Sequence, residues 1–255
     1  MSDVVARPPA IAVRGATKRF GAVLAIDDVE ISVAHGEVVA LLGDNGAGTS
    51  TLIKCISGVH RLDAGVIEMD GQPVQITSPA AARALGIETV YQDLALFDNL
   101  DPAANFYAGR EIAGPRWLPK ALQITRPRAM SEATVAVLDR LQVGLPDPTA
   151  PVGLMSGGQR QAIAVARAAG FASKVVILDE PTAALGLRES RNVLDLIDRL
   201  RREDHAVLVI SHAMDHVIEI ADRAVVMRRG RKVGEEADLR GNQQRIVSLI
   251  VGGEG

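Results

Sequence analysis

The chain holds a single cysteine, Cys55, in 255 residues, which rules out an internal disulfide framework and suits a reducing compartment. It has no excess of basic charge. Against 31 Asp and Glu stand 28 Lys and Arg, a net of −3 with a pI near 6.0, so no global field recruits nucleic acid. No apolar run approaches the ~18 residues needed to cross a bilayer, and Met1–Pro9 has no apolar core of signal-peptide length. A role in a membrane process would therefore be exercised from the cytoplasmic side, through a partner. Internal repeats and low-complexity blocks are absent as well. What is present is the balance of an ordinary globular protein, 47% hydrophobic and 23% charged. The length suits one large α/β domain or two small ones and can bury about three quarters of the unfolded surface.

Residues 1–10 read as a flexible leader ending around Pro8-Pro9. Ile11–Thr17 and Val29–Val33 alternate apolar and polar residues, the pattern of half-buried strands. Glu37–Leu42 (EVVALL) is almost wholly apolar, typical of a strand covered on both faces, and feeds a glycine-rich loop and a helix over Ser50–Ser57. Next come a strand at Gly65–Met69, a turn at Asp70-Gly71, a helix opening at Ser78-Pro79 and a strand at Ile87–Tyr91. From Asp93 to about Leu154 glycine, proline and helical periodicity replace the strands, with a helix at Ser131–Leu141. Strands return at Lys174–Leu178 and Ala206–Ile210, and between them Val193, Leu194, Ile197 and Leu200 share one helix face. The tail predicts a hairpin through Arg229-Gly230 and a closing helix at Gln243–Ile250. Strands alternating with helices predict an α/β core around a parallel sheet. Its parts are residues 11–92 and 166–255, with 93–165 as a mainly helical insertion.

Gly43-Asp44-Asn45-Gly46-Ala47-Gly48-Thr49-Ser50-Thr51 sits between the buried strand and its helix, the context in which GxxxxGK[ST] becomes meaningful. The glycines let successive N–H groups turn inward toward phosphate oxygens, and the helix adds the positive end of its dipole. Ser50 takes the hydroxyl position that ligates Mg²⁺. Thr49 stands where that motif has lysine, whose ammonium bridges the β- and γ-phosphates and offsets charge developing during transfer. Threonine offers one neutral hydrogen bond. Lys54 lies further along the helix and is expected to point away from the loop. The expectation is weak binding and slow hydrolysis of MgATP; a plain strand-to-helix turn is the competing reading of the loop taken alone.

Val175–Leu178 ends in two carboxylates, Asp179 and Glu180. One at such a strand end can hold Mg²⁺ through its water shell and the next can orient a nucleophilic water, while an acidic terminus facing solvent is the plainer alternative. Met155-Ser156-Gly157-Gly158-Gln159-Arg160-Gln161 precedes an alanine-rich helix and forms a second helix N-terminus able to approach an anion, or a simply capped helix. The cluster Arg228-Arg229-Gly230-Arg231-Lys232 reads as a solvated hairpin turn.

Met155–Gln159 is similar to the LSGGQ signature of ABC ATPases, with Met for Leu. With Gly43–Thr51 and Val175–Glu180 in order, the resemblance runs from about Ile11 to Val251. It implies a P-loop NTPase core with a mixed sheet, an N-terminal antiparallel β portion and a helical subdomain carrying the signature. It also implies ATP and Mg²⁺ as cofactors. Gln92 resembles the Q-loop glutamine, His212 the switch histidine and Phe20 the aromatic stacked on adenine. The resemblance assigns catalysis to Glu180, His212 and Gln92, and metal binding to Ser50, Gln92 and Asp179. Nucleotide binding falls to Phe20, Gly43, Asn45, Gly46, Ala47, Gly48, Thr49, Ser50 and Thr51, with Ser156, Gly157, Gly158 and Gln159 acting across a head-to-tail dimer. Ala183-Ala184-Leu185-Gly186 resembles the D-loop, with Gly186 in place of aspartate.

Gly43–Gly46, Gly86–Gln92, Ala108–Glu111 and Pro181–Gly186 look like the monosaccharide importers of the ribose, xylose and fructose type. Many of those carry two fused ATPase halves; this chain resembles the single-domain members. That implies a homodimer at the cytoplasmic face of the inner (plasma) membrane, under transmembrane permease subunits and served indirectly by a sugar-binding protein, with no nucleic-acid partner. Two alternatives stand beside it. A soluble ABC ATPase acting on DNA or ribosomes would carry coiled-coil insertions, tandem domains or basic patches. A non-hydrolysing regulatory or scaffold subunit is the reading that Thr49 raises.

Overall fold

The computed structural model describes residues 7–115 and 124–252, so most of the expected leader, residues 1–6, lies outside the described residues. In the part of the leader that is described, Arg7 pairs with Asp204 at 2.7 Å and Ala10 is fully buried.

The chain opens with β1 (Ile11–Phe20), β2 (Val23–Val33), β3 (Val38–Leu42) and α1 (Thr49–Ile56). Then follow β4 (Ala64–Met69), β5 (Gln72–Val74), α2 (Pro79–Ala84) and β6 (Ile87–Val90). The middle holds α3 (Pro102–Tyr107), the two-residue strands β7 (Ala113–Gly114) and β8 (Ile124–Thr125), and α4 (Pro127–Arg140). The remainder is α5 (Gly157–Phe171), β9 (Val175–Asp179), α6 (Leu187–Arg202), β10 (Ala206–Ile210), α7 (Met214–Ile220), β11 (Arg223–Arg228), β12 (Arg231–Glu236) and α8 (Gln243–Val251).

Six strands form the main sheet in the order β12-β11-β3-β10-β9-β6, parallel throughout except for the closing β11–β12 hairpin. A four-stranded antiparallel sheet, β2-β1-β4-β5, packs beside it. The expected mixed sheet with an N-terminal antiparallel portion is what the chain builds. Side chains on a strand alternate between faces, so a strand covered on both sides must be apolar at every position. In β9, Val175 and Ile177 enter one core with α1, while Val176 and Leu178 enter another with α5 and α6. In β10, Leu208 and Ile210 take the first side and Val207 and Val209 the second. Val193, Leu194, Ile197 and Leu200 of α6 are all buried in that second core, as their spacing predicts.

Several boundaries differ from the pattern reading. β1 and β2 run on into one long hairpin through Gly21, because register shifts near Gly15 and Asp28 break the strict alternation. Helix α4 begins at Pro127 rather than Ser131, proline being suited to a first turn. Helix α3 is capped by Asp101, whose carboxylate accepts from the Ala104 N–H at 2.7 Å. Helix α2 is capped by Ser78, which accepts from Ala81 N–H at 3.2 Å, with Pro79 next, as expected.

Candidate functional site

Ligand sites in open parallel sheets form at the carboxyl ends of the strands. Four such ends meet here. β3 delivers the loop 43–48, β6 delivers Gln92, β9 delivers Asp179 and Glu180, and β10 delivers His212 two residues on. Asp44, Asn45, Gly46, Gly48, Thr49, Ser50, Thr51, Gln92, Asp179, Glu180 and His212 line one cavity of about 400 Å³, with Val23–Ala25 of β2 and Ile210 of β10 completing the wall.

The loop geometry follows from its glycines. Gly46 (φ +83°) faces open space, so its backbone is bare to the cavity. Gly48 (φ +100°) lies against β2: a Cβ there would sit 2.6 Å from the Ala25 carbonyl oxygen. Gly43 and Ala47 stand behind the wall, and a Cβ on Gly43 would meet both Ala47 and the Met227 carbonyl at 2.7 Å. The loop is tied internally by Ala47 N–H donating to Asp44 O at 2.9 Å and Asn45 N–H donating to Asp44 Oδ1 at 2.7 Å. Helix α1 starts directly from Gly48, which offers no side-chain cap. Its first-turn amides have no intrahelical acceptor, so they remain donors toward the cavity.

The hairpin turn Arg229-Gly230 is more than a solvated turn. Gly230 N–H donates to Ala47 O at 2.9 Å and Asp27 N–H donates to Gly230 O at 2.8 Å, so this turn braces the phosphate loop against β2. Both turn residues take positive φ (49° and 80°), the geometry of a tight two-residue hairpin.

Glu180 occupies the left-handed region at φ +52°, uncommon for a side-chain-bearing residue, and is held there by its N–H donating to Ile210 O at 2.9 Å. His212 Nε2 lies 3.4 Å from Glu180 Oε1. That oxygen is buried and has no hydrogen-bond partner among the described residues, an arrangement that fits a group completed by a ligand. Burial pushes the carboxyls of Asp179 and Glu180 up; His212 pulls both back, as Lys54 does at Asp179. Lys54 is exposed and does not line the cavity, as expected, yet its charge is near enough to act on Asp179. Ser50, Gln92 and Asp179 share the cavity wall and present hydroxyl, amide and carboxylate oxygens, hard donors that suit magnesium. Among the described residues no three His, Cys, Asp or Glu converge to hold a metal by themselves, so a cation here would be shared with phosphate oxygens and water.

The remaining expected residues lie elsewhere. Phe20 is 43% exposed, packs edge-on to His60 at 5.1 Å and pairs across the hairpin with Val23, at the cavity rim rather than in its lining. Ser156, Gly158 and Gln159 line a separate cavity of about 420 Å³ beside α6. Ser156 Oγ accepts from Gln159 N–H at 3.2 Å while Gln159 Oε1 accepts from Ser156 N–H at 2.8 Å, a closed capping box. One chain therefore does not bring this turn to the phosphate loop.

Three residues with structural leverage gave no motif signal. Asn105, fully buried, accepts from Phe97 N–H at 2.7 Å and donates to the carbonyls of Phe97, Leu100 and Asp101, fixing the loop after Gln92. Arg167 of α5 donates to Leu94 O and Ala95 O, both at 2.9 Å, joining that loop to the helix that begins at Gly157. Glu189 of α6 packs against Gly158, where a Cβ would meet its Cγ at 2.4 Å, and places Oε2 beside Gly186. Each contact joins segments far apart in the chain, which local patterns do not reveal.

A family model described as "ABC transporter" matches residues 26–183. The chain is 47% identical over 230 residues to a fructose import ATP-binding protein, FrcA, of Rhizobium meliloti, covering 90% of this chain and 88% of that protein. It is 44% identical to a xylose/arabinose import ATP-binding protein, XylG, of Sulfolobus acidocaldarius, covering 93% and 92%. To a ribose import ATP-binding protein, RbsA 1, of Rubrobacter xylanophilus it is 42% identical, covering 96% of this chain but 47% of that protein, about half its length. Among solved structures, a nucleotide-free ATP-binding cassette from an ABC transporter superposes with a TM-score of 0.82 at 24% identity, covering 94% of this chain and 98% of that one. A dimeric cassette in a post-hydrolysis state bound to ADP and Pi gives 0.72 at 20% identity, covering 89% and 98%. At those identities the structural likeness establishes the fold.

Proposed function

The chain belongs to the ABC transporter family, and from that premise we propose that it is the ATP-binding and ATP-hydrolysing subunit of an importer whose cargo is a monosaccharide. The observation that carries the proposal is the convergence of Gly46, Gly48–Thr51, Gln92, Asp179, Glu180 and His212 on one cavity at four strand ends. The cargo rests on the relatives, which are named for import of fructose, xylose or arabinose, and ribose.

In this reading the bare amides of the loop and of the first turn of α1 hold the phosphates, and Phe20 at the rim stacks on adenine. Ser50, Gln92 and Asp179 would hold magnesium, which would supply positive charge to offset that of the phosphates. Glu180, whose buried Oε1 faces His212 but lacks a hydrogen-bond donor among the described residues, orients the attacking water and accepts its proton. His212 donates to the γ-phosphate, and its place beside Glu180 keeps the two groups in register. The turn Ser156–Gln159 serves a second copy of the chain: it is too far round the molecule to line its own cavity, so a head-to-tail homodimer gives it a triphosphate to meet. Residues 93–165 form the helical subdomain between the core parts 11–92 and 166–255; α5 runs across its second boundary, and Arg167 on that helix ties the loop after Gln92 to the signature turn. The dimer sits peripherally on the cytoplasmic face of the membrane, under permease subunits supplied by a sugar-binding protein. No described helix is long and apolar enough to cross a membrane, so the translocation path would belong to those partners.

Thr49 sets the rate. Without the lysine ammonium, turnover is slowed by about 10²–10³, the effect of losing one preorganised donor. Comparing ATP turnover of the chain with that of Glu180→Gln and of Thr49→Lys tests the assignment. Hydrolysis should fall with the first and rise with the second, and a Glu180→Gln variant of undiminished rate would remove Glu180 from its role. The same Thr49 favours a second reading, a non-hydrolysing regulatory or scaffold subunit. That reading predicts no turnover beyond background even at saturating MgATP.

A further inference from the structure

The charges lining the nucleotide cavity have one sign. Among the described residues Asp44, Asp179 and Glu180 are the acidic ones lining it, His212 is the one able to become cationic, and no lysine or arginine lines it. Thr49 is nearly buried, and its γ-methyl lies against the backbone of Gly43, 3.3 Å from where a Cβ there would sit. Lys54 is exposed and outside the lining, although its charge reaches Asp179. Free ATP is a polyanion. The cavity meets it with backbone amides and the helix dipole, worth about half a positive charge, set against three carboxylates. In a site with a lysine in the loop, metal-free nucleotide still finds one full counter-charge in the lining; here the lining, among the described residues, supplies no lysine or arginine and Lys54 acts only from outside it. The carboxylates repel free phosphate, but with the neutral hydroxyl of Ser50 they are hard oxygen ligands that attract a divalent cation carried with it.

We propose that this chain takes nucleotide only as its divalent-metal complex, the metal ion supplying the positive charge that residue 49 does not, so that metal availability gates binding itself and not hydrolysis alone. The proposal rests on the nucleotide-binding reading above and extends it to which ionic form of the ligand is accepted. Thr49 is thereby a specificity-determining residue, selecting the metal complex over the free polyanion.

The test is equilibrium binding of ATP, by calorimetry or dialysis, with excess Mg²⁺ and again with excess chelator, for the chain and for Thr49→Lys. Chelation should weaken binding by about 10²-fold or more in the chain. In Thr49→Lys the loss should be smaller by roughly 10- to 100-fold, the worth of one charged hydrogen bond. Equal losses in the two proteins overturn the proposal. Should Thr49→Lys melt abnormally, the chain alone decides. Its apparent ATP affinity must keep falling as free Mg²⁺ is lowered, and a plateau near the saturated affinity contradicts it. If neither protein binds ATP with Mg²⁺ present, the nucleotide-binding reading itself fails, and the metal requirement with it.

Discussion

Two helix N-termini in this molecule share glycines and polar residues, yet they are finished differently. Helix α1 springs from Gly48 with no side-chain cap, and its first amides are left to the cavity. Helix α5 springs from Ser156 with both halves of a capping box made, which engages the Ser156 and Gln159 amides and leaves those of Gly157 and Gly158 without an intrahelical acceptor. The first is a standing cradle for an anion. The second has its N-cap and third-residue amides tied up by side chains and leaves only the two glycine amides over, so it offers an anion fewer donors than the first. Their glycines differ in the same sense. Gly48 is required by close approach to Ala25 of β2, and Gly158 by close approach to Glu189 of α6.

This contrast can be broken by substitution. The largest effect is expected from Gly48→Val, where positive φ and a Cβ 2.6 Å from a carbonyl oxygen leave no room. MgATP binding should be lost entirely while far-ultraviolet circular dichroism stays near native, and retained affinity would show that the loop is not the cradle. Arg167→Ala should cost about 2–3 kcal/mol in chemical denaturation, because it strips two carbonyls of a charged donor. It should leave MgATP affinity within a few fold, separating support of the loop after Gln92 from the cradle itself. Gly158→Ala drives a methyl into the stem of Glu189 and should destabilise by about 1–3 kcal/mol. Nucleotide affinity of the isolated chain should not change; a loss there would place the second turn in the same site as the first. The smallest effect belongs to Ser156→Ala, about 1 kcal/mol from the lost cap, read by thermal melting. A much larger drop would mean that this turn does more for the free chain than cap a helix.

Much of this was legible in the residues. EVVALL before a glycine-rich loop, VVIL before Asp179-Glu180 and AVLVI before Ser211-His212 each mark a strand buried on both faces with polar groups at its carboxyl end, and a parallel sheet brings such ends together. Of the residues expected to hold nucleotide or act on it, those lining the cavity meet for that reason, while Phe20, Gly43, Ala47 and the signature segment stay out of the lining. The brace from Gly230 to Ala47 was not legible: a basic hairpin turn reads as solvated unless the strand order β11-β3 is known, because only that adjacency sets the turn behind the loop. Asn105 and Arg167 were silent for a related reason. Their partners are backbone carbonyls and amides, which look alike in every sequence. The length of the β1–β2 hairpin was hidden by the register shifts near Gly15 and Asp28.

The most direct measurement is steady-state ATP turnover at saturating MgATP for the chain and for Thr49→Lys, side by side. A site complete but for one fixed charge predicts a rise of about 10²–10³ when the lysine is restored. Identical rates would contradict it, since residue 49 would then have no part in the chemistry.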